Sequence, residues 1–373
     1  MRFPSFHRSP KGFRGENLKG KISYMNINKE DNIIPTVEAP SRLWKDYELI
    51  DCGNFEKLER FGRIVMSRPE PKAIWDKSLS EGEWNSLMHT KFAPGAGFGK
   101  AGKEDSGTWN RLKRMDDQWF ISYEGYGEGA QASAQSPAEA PAQSSKAAKN
   151  AAGSHPAGPS FRLRLGLTSF KHVGVFPEQA SNWEYIYSHT KALADKAREE
   201  GRPAPKVLNL FAYTGAASLA AKAAGADVTH LDSVRQVVTW ARGNMENSGL
   251  DGIRWVVEDA LKFARREAKR GNVYQGIILD PPAYGHGPDG EKWKLDECLN
   301  DLLKCVSAIL APTDSFMVLN LYSNGFSAVL GETVVRQNFC LKTAYKELQS
   351  GELVLEDRFG KKLPLSIVVR LSR

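Results

Sequence analysis

The chain has 373 residues, of which 41% are hydrophobic, so it is long enough for two domains with a proper core. Its 51 Lys and Arg residues against 44 Asp and Glu residues give a formal net charge of +7, which is compatible with an anionic partner such as RNA but does not require one. No apolar run is long enough to span a membrane and no secretory h-region opens the chain, so we expect a cytoplasmic protein. The four cysteines form no C-x-x-C pair, which argues against a metal site and against a disulfide framework.

The first part of the chain predicts a basic extension followed by a β-rich domain. Residues 1–45 lack periodicity and are rich in Pro, Asn and charge, which predicts a flexible extension; an organelle transit peptide is the alternative to a disordered basic arm. Short strand-like pieces at Tyr47–Ile50, Arg63–Met66 and Trp119–Ser122 predict a β-rich N-terminal domain over residues 46–180.

A low-complexity segment interrupts this domain. Residues 127–160 consist almost entirely of Ala, Ser, Gln, Pro and Gly, and they cannot bury enough apolar surface to order themselves. The strand-like runs Trp119–Tyr123 and Phe161–Leu167 flank the segment. We therefore predict a disordered insertion at the tip of a β-hairpin, which costs little entropy per added residue.

From residue 206 onward, strand and helix patterns alternate. The predicted strands are 207–211, 227–231, 253–258, 274–279, 316–321, 342–348 and 365–371, and the predicted helices include 234–246, 261–270 and 295–310. This order predicts an α/β fold over residues 181–373. We expect a Rossmann-like, seven-stranded, doubly wound sheet that is mostly parallel, with an antiparallel last strand and helices on both faces.

The run Val207-Leu-Asn-Leu-Phe-Ala-Tyr-Thr-Gly-Ala-Ala-Ser218 indicates a buried strand that turns into a helix. Thr214 and Gly215 mark the turn. In a doubly wound sheet such a junction lies at the carboxyl end of a strand, where the backbone can approach a nucleotide-like ligand. A glycine required only for steric reasons is the alternative.

Two acids follow the next two strands. Asp232 ends the second strand 17 residues after Gly215, where a carboxylate can accept hydrogen bonds from both ribose hydroxyls of a nucleoside cofactor. Asp259 ends the third strand, from which it can reach an adenine amino group. For both acids, a helix cap is the alternative interpretation.

The motif Asp280-Pro-Pro-Ala-Tyr284 directly follows the apolar run Gly276–Leu279. Pro281 and Pro282 stiffen the backbone and remove two hydrogen-bond donors, so carbonyls here can face a substrate. The aromatic residue of the motif can stack on a planar base. A plain turn that ends the strand is the alternative, although it needs neither the acid nor the aromatic residue.

These motifs together resemble the class I S-adenosylmethionine-dependent methyltransferases. The likeness extends from Phe161 to the C-terminus and is strongest to the branch that contains large-subunit rRNA base methyltransferases. The residues that carry it are Gly174–Gln179, Phe211–Ser218, Asp232, Trp240-Ala-Arg-Gly-Asn244, Asn247, Gly249, Asp259 and Asp280–Tyr284.

The resemblance implies S-adenosyl-L-methionine as the cofactor and RNA, in particular large-subunit rRNA, as the partner. The implied cofactor-binding residues are Gln179, Phe211, Tyr213, Thr214, Gly215, Asp232, Asp259 and Asp280. Tyr213 to Gly215 would pass the methionine part, Asp232 the ribose and Asp259 the adenine. The implied catalytic residues are Asp280, Pro281, Pro282 and Tyr284, with Asp280 near the methionine amino group and the target base.

One departure from the branch narrows the chemistry. Its cytosine-C5 enzymes carry a nucleophilic cysteine after the fifth strand, where this chain has Val318-Leu-Asn-Leu-Tyr-Ser-Asn324. Cys298 and Cys305 fall on the preceding helix and are expected in the core, and Cys340 precedes the sixth strand. Since covalent attack on a pyrimidine needs a nearby thiolate, we predict methylation without a cysteine nucleophile, at a nitrogen atom.

Three other functions remain open at this point. The motif also suits a methyltransferase that acts on a protein or small-molecule nitrogen. A nicotinamide-dependent oxidoreductase would carry G-x-G-x-x-G, whereas the first turn reads Ala212-Tyr-Thr-Gly-Ala-Ala217. A non-catalytic RNA-binding module would not need the acids Asp232, Asp259 and Asp280.

Two further segments have alternative interpretations. His286 lies in a glycine-rich stretch, 285–290, that could be a mobile loop closing over the substrate with the histidine as a base, or an ordinary solvated loop. Basic residues around the third helix could touch phosphates or form a solvated face; they are Lys262, Arg265, Arg266, Lys269 and Arg270.

Overall fold

Five stretches of the chain are described by the structure, a computed structural model: residues 36–98, 106–125, 158–322, 325–340 and 343–373. The predicted extension up to residue 35 and the predicted insertion over 127–157 lie outside these residues. The strands are β1 Thr36–Glu38, β2 Tyr47–Gly53, β3 Glu56–Phe61, β4 Ile64–Pro69, β5 Thr90–Pro94, β6 Gly107–Arg111, β7 Gln118–Glu124, β8 Ser160–Gly166, β9 Lys206–Leu210, β10 Asp227–Asp232, β11 Arg254–Val257, β12 Gly276–Leu279, β13 Tyr284–His286, β14 Lys292–Lys294, β15 Phe316–Leu321, β16 Glu347–Glu356 and β17 Lys362–Ser372. The α-helices are α1 Glu81–Leu87, α2 Ala180–Glu199, α3 Ala216–Ala223, α4 Arg235–Asn247, α5 Ala260–Arg270, α6 Leu295–Ile309 and α7 Ala328–Val335; a 3-10 turn spans Pro177–Gln179 and a π-helical turn Arg336–Cys340.

The large sheet has the strand order β1-β16-β17-β15-β12-β9-β10-β11. Strand β17 runs antiparallel to both of its neighbours, and the other pairs are parallel. The predicted α/β fold, with a mostly parallel sheet and an antiparallel last strand, is therefore confirmed. Successive side chains of a central strand point to opposite faces of the sheet, and apolar side chains are buried on both faces. In β12, Ile278 belongs to one core cluster, whereas Ile277 and Leu279 belong to another.

An eighth strand corrects the predicted count of seven. Residues 1–45 were expected to be a flexible extension, but Thr36–Glu38 forms β1, which pairs in parallel with β16. Trp44 is also buried and donates its indole N–H to the Ser122 carbonyl at 2.8 Å. Gly351 permits the close approach of β1, because a Cβ there would lie 2.2 Å from the Thr36 carbonyl oxygen. A three-residue edge strand is too short to show a period in the sequence.

The hairpin at the C-terminus is a second correction. The sequence predicts a strand over 342–348 and a loop up to 365, whereas β16 begins at residue 347 and continues to 356. The turn is short because the Asp357 carboxylate accepts hydrogen bonds from the backbone N–H groups of Phe359 and Lys361, both at 2.9 Å. Polar and apolar residues mix along β16, so the apolar run that would predict a strand is missing.

The N-terminal region contains a five-stranded sheet with the order β2-β3-β4-β5-β6 and the separate hairpin β7–β8. The β-rich prediction is therefore confirmed. Glu124 and Ser160 pair at the end of the hairpin, so the predicted insertion begins after β7, but its last predicted residue, Ser160, belongs to β8. One buried cluster contains residues of both regions, among them Trp119, Trp183 and Val207. The division into domains at residue 180 stays a prediction.

A cluster of charged side chains is buried in the N-terminal sheet. Arg68 donates from Nε and Nη2 to Glu59 Oε2 at 2.8 and 2.6 Å. The Tyr47 hydroxyl donates to the other Glu59 oxygen at 3.0 Å, and Lys57 lies 3.3 Å from Glu70. Each of these charges has a partner of opposite sign, as burial in a protein requires.

Candidate active site

A cleft of about 540 Å³, open to solvent, lies at the carboxyl ends of β9, β12 and β15. Six of the predicted site residues line it: Gln179, Phe211, Tyr213, Thr214, Gly215 and Asp280. The other predicted residues are not among its lining residues: Asp232, Asp259, Pro281, Pro282 and Tyr284.

The turn between β9 and α3 forms one wall in a strained conformation. Phe211 and Tyr213 have positive φ angles of 59° and 49°, and Gly215 has 95°. Non-glycine residues in this conformation are costly and concentrate at functional sites. The turn is held from both sides, since the Thr214 hydroxyl donates to the Gly174 carbonyl at 2.7 Å and Asn244 Nδ2 donates to the Thr214 carbonyl at 2.9 Å.

The run Trp240-Ala-Arg-Gly-Asn244, which contributes to the family resemblance, holds the turn between β9 and α3 in place. Asn244 Oδ1 accepts a hydrogen bond from the Arg164 backbone N–H at 2.8 Å, while its amide nitrogen holds the turn. The Trp240 indole donates to the Arg164 carbonyl at 2.9 Å. Helix α4 therefore locks the first turn to the β7–β8 hairpin.

Asp232 ties the end of β10 to the same turn. Its carboxylate oxygens accept hydrogen bonds from the backbone N–H groups of Tyr213 and Val234, each at 2.9 Å. Burial raises the pKa of this carboxyl despite those hydrogen bonds. A carboxylate can accept about four hydrogen bonds, so these contacts leave room for a ribose hydroxyl, and the ribose contact stays a prediction.

Asp259 caps a helix, as the alternative interpretation of this residue has it. Its Oδ1 accepts a hydrogen bond from the Lys262 backbone N–H at 2.8 Å, at the start of α5. The side chain is nearly buried. The predicted contact with adenine stays a prediction.

Asp280 forms a polar pair with a residue that the sequence did not single out. Asn320 Nδ2 donates to Asp280 Oδ1 at 2.6 Å, and both residues line the cleft. Burial raises the pKa of Asp280 to about 6, although the hydrogen bond from Asn320 opposes the shift. Asn320 Oδ1 is buried, and no described residue donates a hydrogen bond to it. In the sequence, the one signal that could have identified Asn320 is its position near the end of β15, the fifth predicted strand.

The second proline of the motif has a contact that the sequence did not predict. The Pro282 carbonyl accepts a hydrogen bond from the Trp293 indole at 2.7 Å, which engages one of its two lone pairs, so the prediction that carbonyls of this motif face a substrate stays a prediction. The Trp293 ring in turn packs on Phe211, with centroids 4.8 Å apart. The motif thus supports the cleft wall from behind, and the catalytic roles of Pro281 and Pro282 stay predictions.

Tyr284 begins a β-hairpin that projects beyond the motif. Its side chain is 56% exposed. Strands β13 and β14 pair antiparallel, with Tyr284 opposite Lys294 and His286 opposite Lys292. Gly285 and His286 of the glycine-rich stretch therefore belong to β13, and the rest of the stretch forms the connection to β14. The roles of this connection as a lid and of His286 as a base stay predictions.

Most of the basic residues on α5 have acidic partners. Lys262 contacts Asp289 and Glu291, both at 2.9 Å, and Arg266 pairs with Glu258. This pairing favours the interpretation as a solvated, charge-balanced face.

The cysteines lie away from the cleft. All four are described, and none lines it. Cys298 and Cys305 pack against a core cluster, as predicted. Burial raises the pKa of Cys52 to about 12 and also raises the pKa of Cys305 and Cys340, which disfavours the thiolate form.

A doubly wound sheet with a cleft at the carboxyl ends of its central strands is the arrangement in which α/β proteins bind nucleotide-like ligands. No family model matches the chain. The crystal structure of the SAM-dependent methyltransferase from Agrobacterium tumefaciens is similar to it over 91% of this chain and 94% of that chain, with 32% identity and a TM-score of 0.72. The chain therefore belongs to the S-adenosylmethionine-dependent methyltransferases.

Two further comparisons show a shared fold and a partial likeness in sequence. A candidate SAM-dependent methyltransferase from Streptococcus mutans shares the fold, with 14% identity, a TM-score of 0.59 and coverage of 88% of this chain and 76% of that one. The ribosomal RNA large subunit methyltransferase K/L of Shewanella frigidimarina is 28% identical over 163 residues, which are 43% of this chain and 21% of that protein. The chain thus spans about a fifth of the curated relatives that it matches. The predicted resemblance to the rRNA branch of class I enzymes is confirmed.

The cleft fits the cofactor that the family implies, S-adenosylmethionine. Its walls are mostly apolar. Asn320 Oδ1, to which no described residue donates, and the Asp280 carboxyl beside it offer acceptors to a cationic or N–H group. Such a combination of apolar walls and a few convergent polar atoms is typical of cofactor pockets.

Among the described residues, no helix is both long and apolar enough to cross a membrane.

Proposed function

We propose that the protein methylates a nitrogen atom of a base in ribosomal RNA, in particular large-subunit rRNA, without a cysteine nucleophile. The observation that carries the proposal is the Asp280–Asn320 pair in the cleft. The Asn320 amide donates to one Asp280 oxygen and so orients the carboxylate. The other Asp280 oxygen and Asn320 Oδ1 then serve as acceptors for the hydrogens of an amino group or ring N–H.

These acceptors suit nitrogen chemistry. S-adenosylmethionine supplies an electrophilic methyl group on its sulfonium when it is bound. Asp280 accepts a hydrogen bond from the acceptor nitrogen, holds its lone pair in line and takes up the proton that the nitrogen loses. The raised pKa of Asp280, about 6, is well suited to a base that works near neutral pH.

The positions of the cysteines support the choice of nitrogen over pyrimidine C5. All four cysteines are described, and none lines the cleft. The residue that lines it near the end of β15 is Asn320. Attack on C6 of a pyrimidine would need a thiolate at this place.

RNA as the substrate is supported by the hairpin beyond the motif. Tyr284 exposes an aromatic ring at the end of the motif that Asp280 begins, and the exposed Lys292 lies on the facing strand together with Lys294, which pairs with Asp296 and Glu297. An exposed aromatic ring with nearby cations is typical of surfaces that stack bases and contact phosphates. The net charge of +7 and the names of the curated relatives point in the same direction.

The predicted site residues and the predicted division at residue 180 enter the proposal. Around the cofactor we propose Gln179, Phe211, Tyr213, Thr214, Gly215, Asp232, Asp259 and Asp280, and around the acceptor Asp280, Pro281, Pro282 and Tyr284. The β-rich region over 46–180 would grip the RNA, and the region over 181–373 would carry the cofactor.

The test is methyl transfer to rRNA from a strain that lacks the protein. Purified protein with S-adenosylmethionine labelled in the methyl group should transfer label to large-subunit rRNA, and nucleoside mass analysis should show a nitrogen-methylated base. The variant Asp280→Asn is the matched control and should transfer little. Transfer to protein or to a small molecule alone would favour the alternative acceptors, and a C5-methylated pyrimidine would overturn the nitrogen assignment.

A further inference from the structure

A continuous row of hydrogen bonds leads from the last long strand to the cofactor cleft. Arg370 of β17 donates from Nε and Nη2 to Asn182 Oδ1, at 3.0 and 2.8 Å. Asn182 Nδ2 donates to Gln179 Oε1 at 2.8 Å. Both Gln179 and Asn182 line the cleft, and only 4% of Arg370 and 2% of Asn182 are exposed.

The direction of these hydrogen bonds follows from the chemistry of arginine. A guanidinium can only donate, so Asn182 must turn its oxygen toward Arg370 and its NH₂ group toward Gln179. Gln179 must then accept this hydrogen bond with its amide oxygen. Its Nε2 is left as a donor, and no described residue accepts a hydrogen bond from it.

The far end of the row is anchored by β1. Arg370 Nη1 donates to Glu38 Oε1 at 2.8 Å, and the guanidinium lies 4.9 Å from the Tyr185 ring centre. An ion pair and a ring contact fix the guanidinium in one orientation. Strand β1, which the sequence did not predict, therefore helps to set the hydrogen bonds at the cleft.

A donor at Gln179 matters because the cleft has no cation. No Lys, Arg or His is among its described lining residues. The amide nitrogens of the lining asparagines already donate to neighbours, namely those of Asn182, Asn209 and Asn320. Each of those nitrogens keeps a second N–H, but Gln179 Nε2 is the lining amide nitrogen from which no described residue accepts a hydrogen bond, and Asp280 and Asn320 supply acceptors in the same cleft.

We propose that Arg370 and Asn182 are positioning residues that hold the Gln179 amide as a hydrogen-bond donor for the carboxylate of the cofactor's methionine part. The inference rests on the proposed role of Gln179 in cofactor binding but is independent of the acceptor substrate. Binding measurements without RNA therefore test it separately from the proposed methylation of rRNA.

The first test compares two ligands by isothermal titration calorimetry. S-adenosylhomocysteine carries the amino-acid carboxylate, and 5′-methylthioadenosine lacks it. Gln179→Met keeps the size of the side chain and removes the donor. We expect it to weaken S-adenosylhomocysteine binding on the order of tenfold and to leave 5′-methylthioadenosine binding within about twofold, because a hydrogen bond to a charged group is lost. Unchanged binding, or an equal loss for both ligands, would overturn the proposal.

The second test asks whether Asn182 acts through Gln179. An aspartate at position 182 can only accept, so in Asn182→Asp the Gln179 amide must turn its NH₂ group toward it and present its oxygen to the cleft. We expect a loss on the order of tenfold in S-adenosylhomocysteine binding, and no further loss when Asn182→Asp is added to Gln179→Met. Additive losses would mean that the new charge acts directly on the ligand and would refute the relay.

Two arginine variants and a control complete the design. Arg370→Lys keeps a donor and should retain much of the affinity, whereas Arg370→Met frees Asn182 to turn and should lose it. Gln349→Met removes another contact of Arg370, at 3.4 Å, that lies outside the row and should bind like the unchanged protein. Thermal unfolding identifies any variant that does not fold, and Gln179→Met alone then decides, because its side chain is only partly buried.

Discussion

The buried charges of the N-terminal sheet and the polar residues of the cleft differ in whether the protein itself supplies their hydrogen-bond partners. In the sheet, Arg68 and Glu59 share two hydrogen bonds. In the cleft, burial raises the pKa of Asp280, and Asn320 Oδ1 has no described donor. A buried polar group without a partner costs about 1–3 kcal/mol, so native proteins retain few of them. The contrast teaches that the sheet is complete by itself, whereas the cleft is built for atoms that a ligand brings.

The largest effect on activity should come from Asp280→Asn, which removes the proton acceptor of the cleft and also removes an unfavourable buried charge. Loss of the proton acceptor should lower the rate of methyl transfer by about 10²–10³-fold. Stability should rise in the same variant. The folded-state pKa of Asp280 is raised to about 6, so the ionised carboxylate opposes folding at every pH above that value. We expect a gain on the order of 1–3 kcal/mol at pH 8, measured by chemical unfolding.

A matched control is Asp301→Asn, which changes an exposed acid of α6. It should alter neither rate nor stability appreciably. A destabilised Asp280→Asn protein would show that the carboxylate is a structural group and would remove the contrast between the two regions.

The second effect concerns the sheet and should be one of stability alone. Glu59→Ala leaves the buried Arg68 guanidinium without its carboxylate, and loss of one partner of a buried ion pair costs about 3–5 kcal/mol. The variant should still bind S-adenosylhomocysteine with unchanged affinity at a temperature where it is folded. Unfolding in urea and calorimetry measure the two quantities.

Glu48→Ala is the matched control for this prediction. Glu48 is only partly buried and pairs with Arg358 and Arg60, which both keep contact with water, so its removal should cost less, about 1 kcal/mol. If both variants lose the same free energy, the buried cluster has no special role. If Glu59→Ala weakens ligand binding, the N-terminal sheet and the cleft are coupled, and the sheet is not complete by itself.

The parts of the fold that the sequence predicts are those with local signals. Strands β9 and β12 are short apolar runs followed by turns, and their buried side chains explain why the prediction succeeded there. The Asp280 motif was recognisable because its residues are adjacent. The sequence could place Asp280 at the end of a strand, since strand ends follow from periodicity.

The missed parts depend on contacts between distant residues. Arg370 and Asn182 are 188 positions apart, and Asp280 and Asn320 are 40 apart. The hydrogen bonds that define these pairs exist only once the strands have been ordered in space. Strand β1 was missed for the same reason, because a three-residue edge strand depends on the edge of β16.

A third effect is a pH profile that belongs to the cleft. Because burial raises the pKa of Asp280 to about 6, its carboxylate form falls about tenfold per pH unit below that value. Methyl transfer should therefore rise with pH and level off above about 7, with a midpoint near 6. Rates from pH 5 to pH 8 in the presence of saturating cofactor measure it.

Glu178 provides the control for this profile. Burial raises its pKa to about 7, and its side chain is only 3% exposed, but it is not among the residues that line the cleft. The profile of Glu178→Gln should keep its midpoint. A midpoint that moves in this variant would assign the titration to Glu178 and remove the support for Asp280 as the base.

The smallest effect separates backbone strain in the cleft from backbone strain elsewhere. Gly215 and Gly271 both have positive φ angles, 95° and 68°, but a Cβ at Gly215 would lie 3.1 Å from Ala241 Cβ, whereas a Cβ at Gly271 would meet nothing within 4 Å. Gly271→Ala should cost about 1 kcal/mol through its backbone alone, and Gly215→Ala should cost about 1 kcal/mol more. Only Gly215→Ala should also weaken S-adenosylhomocysteine binding, because the turn between β9 and α3 forms a wall of the cleft. Equal costs and equal binding would mean that the strained turn is an ordinary connection and that the cleft's special character is confined to its side chains.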